Sequence, residues 1–190
     1  SFPVLAKLYT DKNETGFAEV FSTTLKQSLF MMIPITGLFI VLRYPIVRLL
    51  LGYGKFGWQA TNLTANILLI FIVGLVCQAL QNLLIRTFFA CDKSAGPFFA
   101  SLATYGSGIF LAYYLSRQNG ILGLTWAFVI TNIIYFLLLF ILLLPSLKYV
   151  NWSGLGKRVG EYMLITAGAC FIGLETVKLT NPWFNQTRVL

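Results

Sequence analysis

Apolar residues in this chain come in long unbroken runs, separated by short clusters of polar residues, glycine and proline. Runs of that length predict helices able to cross a bilayer, which takes about 20 residues each. Residues 1–27 predict the end of one helix, a turn at Asp11-Lys12-Asn13-Glu14, and then an amphipathic helix. Phe17, Val20, Phe21 and Leu25 give that helix one apolar face, suited to lying on or entering the membrane interface. A first crossing covers about 28–43, and Pro34 inside it predicts a kink. That stretch is short for a crossing. Tyr44 to Leu51 would lengthen it, but Arg43 and Arg48 favour a bend along the surface with both side chains reaching headgroups. The glycine cluster from Gly52 to Gly57 then breaks the helix.

A second crossing, about 64–89, contains Gly74, which permits close helix approach. Asp92 to Pro97 is a tight connection, with Pro97 suited to the first turn of the next helix. The third crossing, about 97–115, is rich in small residues, with Gly108 and Ala112 four apart, and reads as a packing helix among neighbours. A turn at Arg117 to Gly120 leads to a fourth, 122–144, that ends at Pro145. After a polar link at 146–161, a fifth runs from Tyr162 to about Leu179 and holds Glu175. The predicted fold is all-α: a polytopic transmembrane bundle of about five crossings. It divides into an entry segment (1–27), a four-helix membrane core (28–145), and a polar link with a fifth helix (146–190).

Composition separates this reading from a very apolar soluble bundle. Hydrophobic residues make up 57% and charged residues only 11%, too few to cover a soluble surface. Fourteen Lys and Arg against six Asp and Glu give a net charge of +8. No basic patch interleaved with aromatics is visible, so the excess points to anionic headgroups and topology rather than nucleic acid. Placing residues 1–27 on the cytoplasmic side puts eight basic residues there and six opposite, a weak bias in the positive-inside direction. Cys77, Cys91 and Cys170 have neither metal spacing nor histidine partners, since the chain contains no histidine, and read as small hydrophobes. The start at Ser1-Phe2-Pro3-Val4 reads as the interior of a longer protein.

Catalysis finds no support: there is no carboxylate pair at i,i+4, no phosphate-binding glycine loop and no nucleophile beside a base. The expectation is a protein that is not an enzyme and holds no metal or cofactor. Four residues are candidates for a headgroup or substrate. Lys26, just before a crossing, is either a point charge toward a phosphate-bearing cavity or an interfacial anchor. Arg43 and Arg48 either line a groove or snorkel. Asn132, at membrane depth, needs a partner on a neighbouring helix or in a cavity. Pro34, Gly74 and Pro97 are candidates for geometry or gating, and Arg86 with Asp92 for a pair that braces a loop.

Several short motifs, in order, resemble one family. Phe2-Pro3-Val4-Leu5-Ala6 is similar to the motif closing the eighth helix of the MurJ (MviN) lipid II flippases, in the multidrug/oligosaccharidyl-lipid/polysaccharide exporter superfamily. Ile33-Pro34 with Gly37 and Leu38 resembles the start of that family's ninth helix. Tyr44-Pro45-Ile46-Val47 with Leu50 to Phe56 resembles its exit. Arg86-Thr87-Phe88-Phe89-Ala90, then Asp92 and Pro97, resembles the junction of helices ten and eleven. Gly120, Gly123 and Leu124 resemble the one before helix twelve, with Thr125 in place of the usual Ala. The resemblance covers about residues 1–145.

The resemblance implies part of a carboxy-terminal lobe in the bacterial cytoplasmic (inner) membrane, partnered by an amino-terminal lobe outside this chain. It also implies outward movement of a lipid-linked cell-wall precursor by alternating access, coupled to membrane potential or a monovalent cation. Helix eleven here offers Thr104, Tyr105, Ser107 and Gly108 without Asn or Asp, which argues against a sodium site there and leaves Asn132 as a contributor. The alternatives are a flippase for another polyprenyl-linked saccharide, a drug or metabolite antiporter, and a non-transporting membrane scaffold.

Overall fold

A computed structural model describes residues 2–52, 57–147 and 152–186, all built from helices and turns. Five helices follow in order: α1 (Phe2–Thr10), α2 (Glu14–Leu51), α3 (Trp58–Ala90), α4 (Ala95–Leu143) and α5 (Trp152–Gln186). A single 3-10 turn, Leu144–Ser146, with proline in its first turn, closes α4. Among the described residues, α2, α3 and α4 are long and apolar enough to cross a membrane. α4 is broken at Gly120 (φ 57°, ψ −132°), which divides it into two arms. The expected fifth crossing falls within α5, but most side chains of its last third lie outside the described residues.

The amphipathic helix, the first crossing and its arginine-bearing tail are one continuous helix. α2 has 38 residues and runs through both Pro34 and Pro45. At 1.5 Å per residue it is about 57 Å long, well beyond the roughly 30 Å hydrocarbon layer. The expected surface bend after Arg43 is therefore replaced by further helix. Each proline removes one backbone donor, but leaving the helix would expose several more polar groups with no water to satisfy them. Asn13 caps its start, its side chain accepting from the Gly16 N–H at 2.9 Å. At the other end the Gly52 N–H donates to the Arg48 carbonyl at 2.9 Å, and Tyr53 to Phe56 lie outside the described residues.

The expected polar link at 146–161 is also shorter than the sequence suggested. Residues 148–151 lie outside the described part, and from Trp152 onward the chain is already helical. An exposed Arg158–Glu161 pair at 3.8 Å, three residues apart, is the kind of contact that supports a polar helical turn.

Gly120 turns α4 into a hairpin. Tyr105 and Tyr135 stand 5.4 Å apart across its arms, and the Tyr135 hydroxyl donates to the Pro97 carbonyl at 3.4 Å. The turn is tighter than the expected Arg117–Gly120 loop, because only Gly120 leaves helical geometry. α3 packs along the second arm: Gly74 admits Phe128 and Val129, while Phe71 meets Phe128 at 4.9 Å. α5 runs parallel to α2, with successive contacts Phe30–Tyr162, Gly37 with Thr166 and Cys170, and Val41–Gly173.

The buried apolar core sits at one end of the bundle, where the α1–α2 turn, the α3–α4 turn and the end of α4 meet. Phe17, Phe21, Leu84, Phe88, Leu139 and Leu143 form it. The opposite end is fastened by aromatics: Tyr44 donates to Asn62 at 3.0 Å and stacks on Trp58 at 6.4 Å.

Gly37 sets the approach of α5. A Cβ there would lie 2.5 Å from Thr166 Cγ2 and 2.7 Å from Cys170 Sγ, both ends of side chains that can turn aside. Gly37→Leu is therefore expected to destabilise by about 1–2 kcal/mol through overpacking. Thermal unfolding of the purified protein, with Gly168→Leu at an open position as control, checks this.

Candidate functional site

The structure separates the predicted residues by helix rotation. Asn132 is 1% exposed and takes the neighbouring-helix alternative. Gln81 Nε2, itself buried, donates to the Asn132 backbone carbonyl at 2.6 Å and lies 3.4 Å from its Oδ1. Asn132 Nδ2 donates to the Phe128 carbonyl at 2.9 Å. Gln81 was legible only as one of several polar residues in the second crossing; its partner depended on which face of α3 meets α4.

Arg43 and Arg48 are half-buried and turn to aromatics. Arg43 lies 4.9 Å from the Tyr44 ring centre and Arg48 5.4 Å from that of Trp58. Such cation–π contacts suit arginines anchored at an interface. The Arg43 Nε is buried without a hydrogen-bond partner. Pro34 lies in the wall of an apolar groove of about 420 Å³ between α2 and α5, beside Leu38, Cys170 and the unpartnered hydroxyl of Thr166. Gly74 is a packing glycine, and Pro97 sits buried in the first turn of α4 as expected.

Arg86 and Asp92 make no ion pair, so the expected brace is not formed, and they line two different cavities. Asp92, at φ 53°, borders an open cavity of about 660 Å³ where the α1–α2 and α3–α4 turns meet, with Lys12, Glu14 and Lys93. Charges of both signs meet there. Beside it, burial pushes the Cys91 thiol up from its ordinary value, with Lys93 pulling the other way.

Arg86 lines a smaller notch of about 250 Å³ between α1, α2 and α3. Thr24 and Ser28 enter it from α2, Asn82 and Arg86 from α3, and Leu5, Ala79 and Leu83 supply apolar wall. Four-residue spacing produces this polar edge: Gln78, Asn82 and Arg86 follow one another along an exposed stripe of α3. Lys26 is half-buried and does not line the notch. It stands two positions from both Thr24 and Ser28, hence about 160–200° round the helix from them. Of the two cations, Lys26 precedes a crossing and stands apart from the notch, whereas Arg86 joins polar side chains from a second helix there.

Long apolar helices, a hairpin with apolar arms and a one-sided cationic notch define a polytopic membrane protein of the helical-bundle class. The profile of the family described as lipid II flippase MurJ matches residues 1–190. The chain belongs to that family. A probable lipid II flippase MurJ from Thermotoga maritima is 29% identical over 170 residues, covering 88% of this chain and 36% of that protein. A relative described in the same words from Bdellovibrio bacteriovorus is 28% identical, covering 90% and 33%. A solved structure described as lipid II flippase MurJ in an inward closed conformation superposes with a TM-score of 0.70 at 28% identity, covering 89% of this chain and 34% of its own. The chain thus spans about a third of the length of these relatives.

Proposed function

We propose that this chain supplies part of the carboxy-terminal lobe of a protein that moves lipid II across the bacterial inner membrane. The observation that carries this reading is the family match over the whole chain, supported by the same fold in a MurJ structure. Movement proceeds by alternating access: two lobes rock about a cavity that holds the saccharide and phosphates, while the polyprenyl tail stays in lipid. Membrane potential or a monovalent cation supplies the coupling. The second lobe is a required partner, and anionic lipids hold the basic surface. The protein acts as a transporter and not as a catalyst, since the reading asks only for differential binding in two states.

A solid Asn132 contact is what a scaffold would also have, so that residue favours neither reading. The polar notch favours transport, because polar groups on the exposed side of a crossing helix are costly unless a water-filled path or a partner covers them. Transbilayer movement of labelled lipid II in proteoliposomes tests the proposal, using the full-length protein beside this fragment. The full-length protein should move lipid II with little effect of an undecaprenyl-linked O-antigen unit as competitor, and the fragment should move none. A folded full-length protein that stays inactive under an imposed membrane potential would rule the reading out.

A further inference from the structure

The cavities described above differ in the sign of what lines them. The α2–α5 groove is apolar. The turn cavity sets Lys12 and Lys93 against Glu14 and Asp92, so its charges compensate one another. The notch between α1, α2 and α3 has a cation and no carboxylate.

Its hydrogen-bonding groups are also unspent. The Arg86 guanidinium makes no ion pair among the described residues. The Ser28 hydroxyl and the Asn82 amide likewise make no hydrogen bond within the described residues, whereas Thr24 has already donated to the Val20 carbonyl at 2.8 Å. Arg86 stands four residues before the end of α3, about 6 Å along the axis from it. A cation this near the end of a helix long and apolar enough to cross a membrane is within reach of lipid headgroups. A guanidinium offers five N–H donors in a planar fork, the amide two more and the hydroxyl one. Their common complement is an anion that only accepts, with several oxygens on one centre. Carboxylates meet that description less well than phosphates, whose oxygens spread over a wider arc.

We infer that this notch binds a phosphate group borne by a lipid headgroup, with Arg86 as the paired cation and Asn82 and Ser28 as neutral donors. The inference does not require the transport reading: it asks only for a phosphate within reach of Arg86, on a membrane lipid or on the translocated one. A free phosphate shares the chemistry but lacks the tail that would hold it against the apolar wall of Leu5, Ala79 and Leu83.

The test uses full-length protein in phosphatidylcholine nanodiscs, with binding followed by native mass spectrometry. Three probes are titrated separately: phosphatidylglycerol, lipid II and inorganic pyrophosphate. Loss of a charge-assisted contact predicts that Arg86→Gln weakens at least one lipid probe about 10–100-fold, with partial recovery in Arg86→Lys. Ser28→Ala and Asn82→Ala should each weaken the same probe about 2–10-fold, and they serve if Arg86→Gln fails to fold. An effect confined to phosphatidylglycerol assigns the notch to a bilayer lipid, and one confined to lipid II assigns it to the translocated lipid. Equal binding of both lipid probes by parent and all variants overturns the inference, as does an effect confined to inorganic pyrophosphate. Should lipid II not move while phosphatidylglycerol binding still depends on Arg86, the transport reading falls and this site stands.

Discussion

Gly123→Ala is expected to cost more stability than any other single-methyl change in the α4 hairpin. Gly123 is buried where the two arms meet, and an added Cβ would lie 2.6 Å from the Leu115 carbonyl carbon and 3.2 Å from Asn119 Cβ. The first obstacle is backbone, which has no rotamer by which to withdraw. Either the arms separate or the carbonyl swings out of its helical bond, and the cost should reach or pass the upper end of the about 1–3 kcal/mol typical of overpacking. Gly120→Ala strains the chain differently. Nothing lies within 4 Å of its Cβ position, but φ of 57° with ψ of −132° is glycine territory, so about 1–3 kcal/mol of backbone strain is expected. Gly106→Ala is the control, a helical position with open space around it, where a small gain is expected. Thermal unfolding of the full-length protein in detergent should rank them Gly123→Ala least stable, then Gly120→Ala, with Gly106→Ala at or above the parent. If Gly123→Ala unfolds with Gly106→Ala, the arms do not approach as the structure shows.

The hairpin also shows where sequence is readable. Gly120 announces a turn because it follows the polar run Arg117-Gln118-Asn119 and can take positive φ without strain, and the apolar runs on either side fix two helical arms. The α3–α4 connection was legible for the same kind of local reason: Asp92 takes φ of 53°, and Pro97 sits where a missing N–H costs nothing. The tail of α2 misled in the opposite sense. Arg43 and Arg48 suggested a bend along the surface, yet a continuous helix through Pro45 leaves the fewest backbone groups bare in a membrane, so solvent rather than residue decides.

The candidate site was less legible because it depends on rotation. Spacing says that Lys26 and Ser28 point to different sides of α2, but not which side meets α3. The contact that settles this, through Thr24, Ser28, Asn82 and Arg86, joins residues more than fifty positions apart. Arg86 and Asp92 are near in sequence and suggest a pair, whereas the end of α3 and its turn send them into separate cavities. The same limitation hid the partner of Asn132. A polar residue in an apolar run announces that a partner exists and leaves its identity to packing.

That partnership supports a prediction with an asymmetry the structure alone supplies. Gln81 Nε2 makes its shorter contact, 2.6 Å, with the Asn132 backbone carbonyl, and only the longer one, 3.4 Å, with the side chain. Asn132→Leu therefore removes the weaker of Gln81's two contacts, together with its own Nδ2 bond to the Phe128 carbonyl within α4, and keeps the stronger, whereas Gln81→Leu removes both interhelical contacts. Both residues are buried, so a group left without a partner has no water to turn to. Gln81→Leu is expected to destabilise by about 1–2 kcal/mol and Asn132→Leu by less than about 1 kcal/mol. In the double variant the shared side-chain contact is counted once, giving a coupling of about 0.6 kcal/mol, typical of polar pairs between membrane helices. Equilibrium unfolding in mixed micelles reads all three. A larger loss from Asn132→Leu than from Gln81→Leu would mean that the side chain, not the backbone carbonyl, ties α3 to the hairpin. Zero coupling would mean the 3.4 Å contact is only proximity. The expected ordering makes α3 and α4 one unit held by a bond that no substitution at position 132 can remove, apart from a change in the backbone itself.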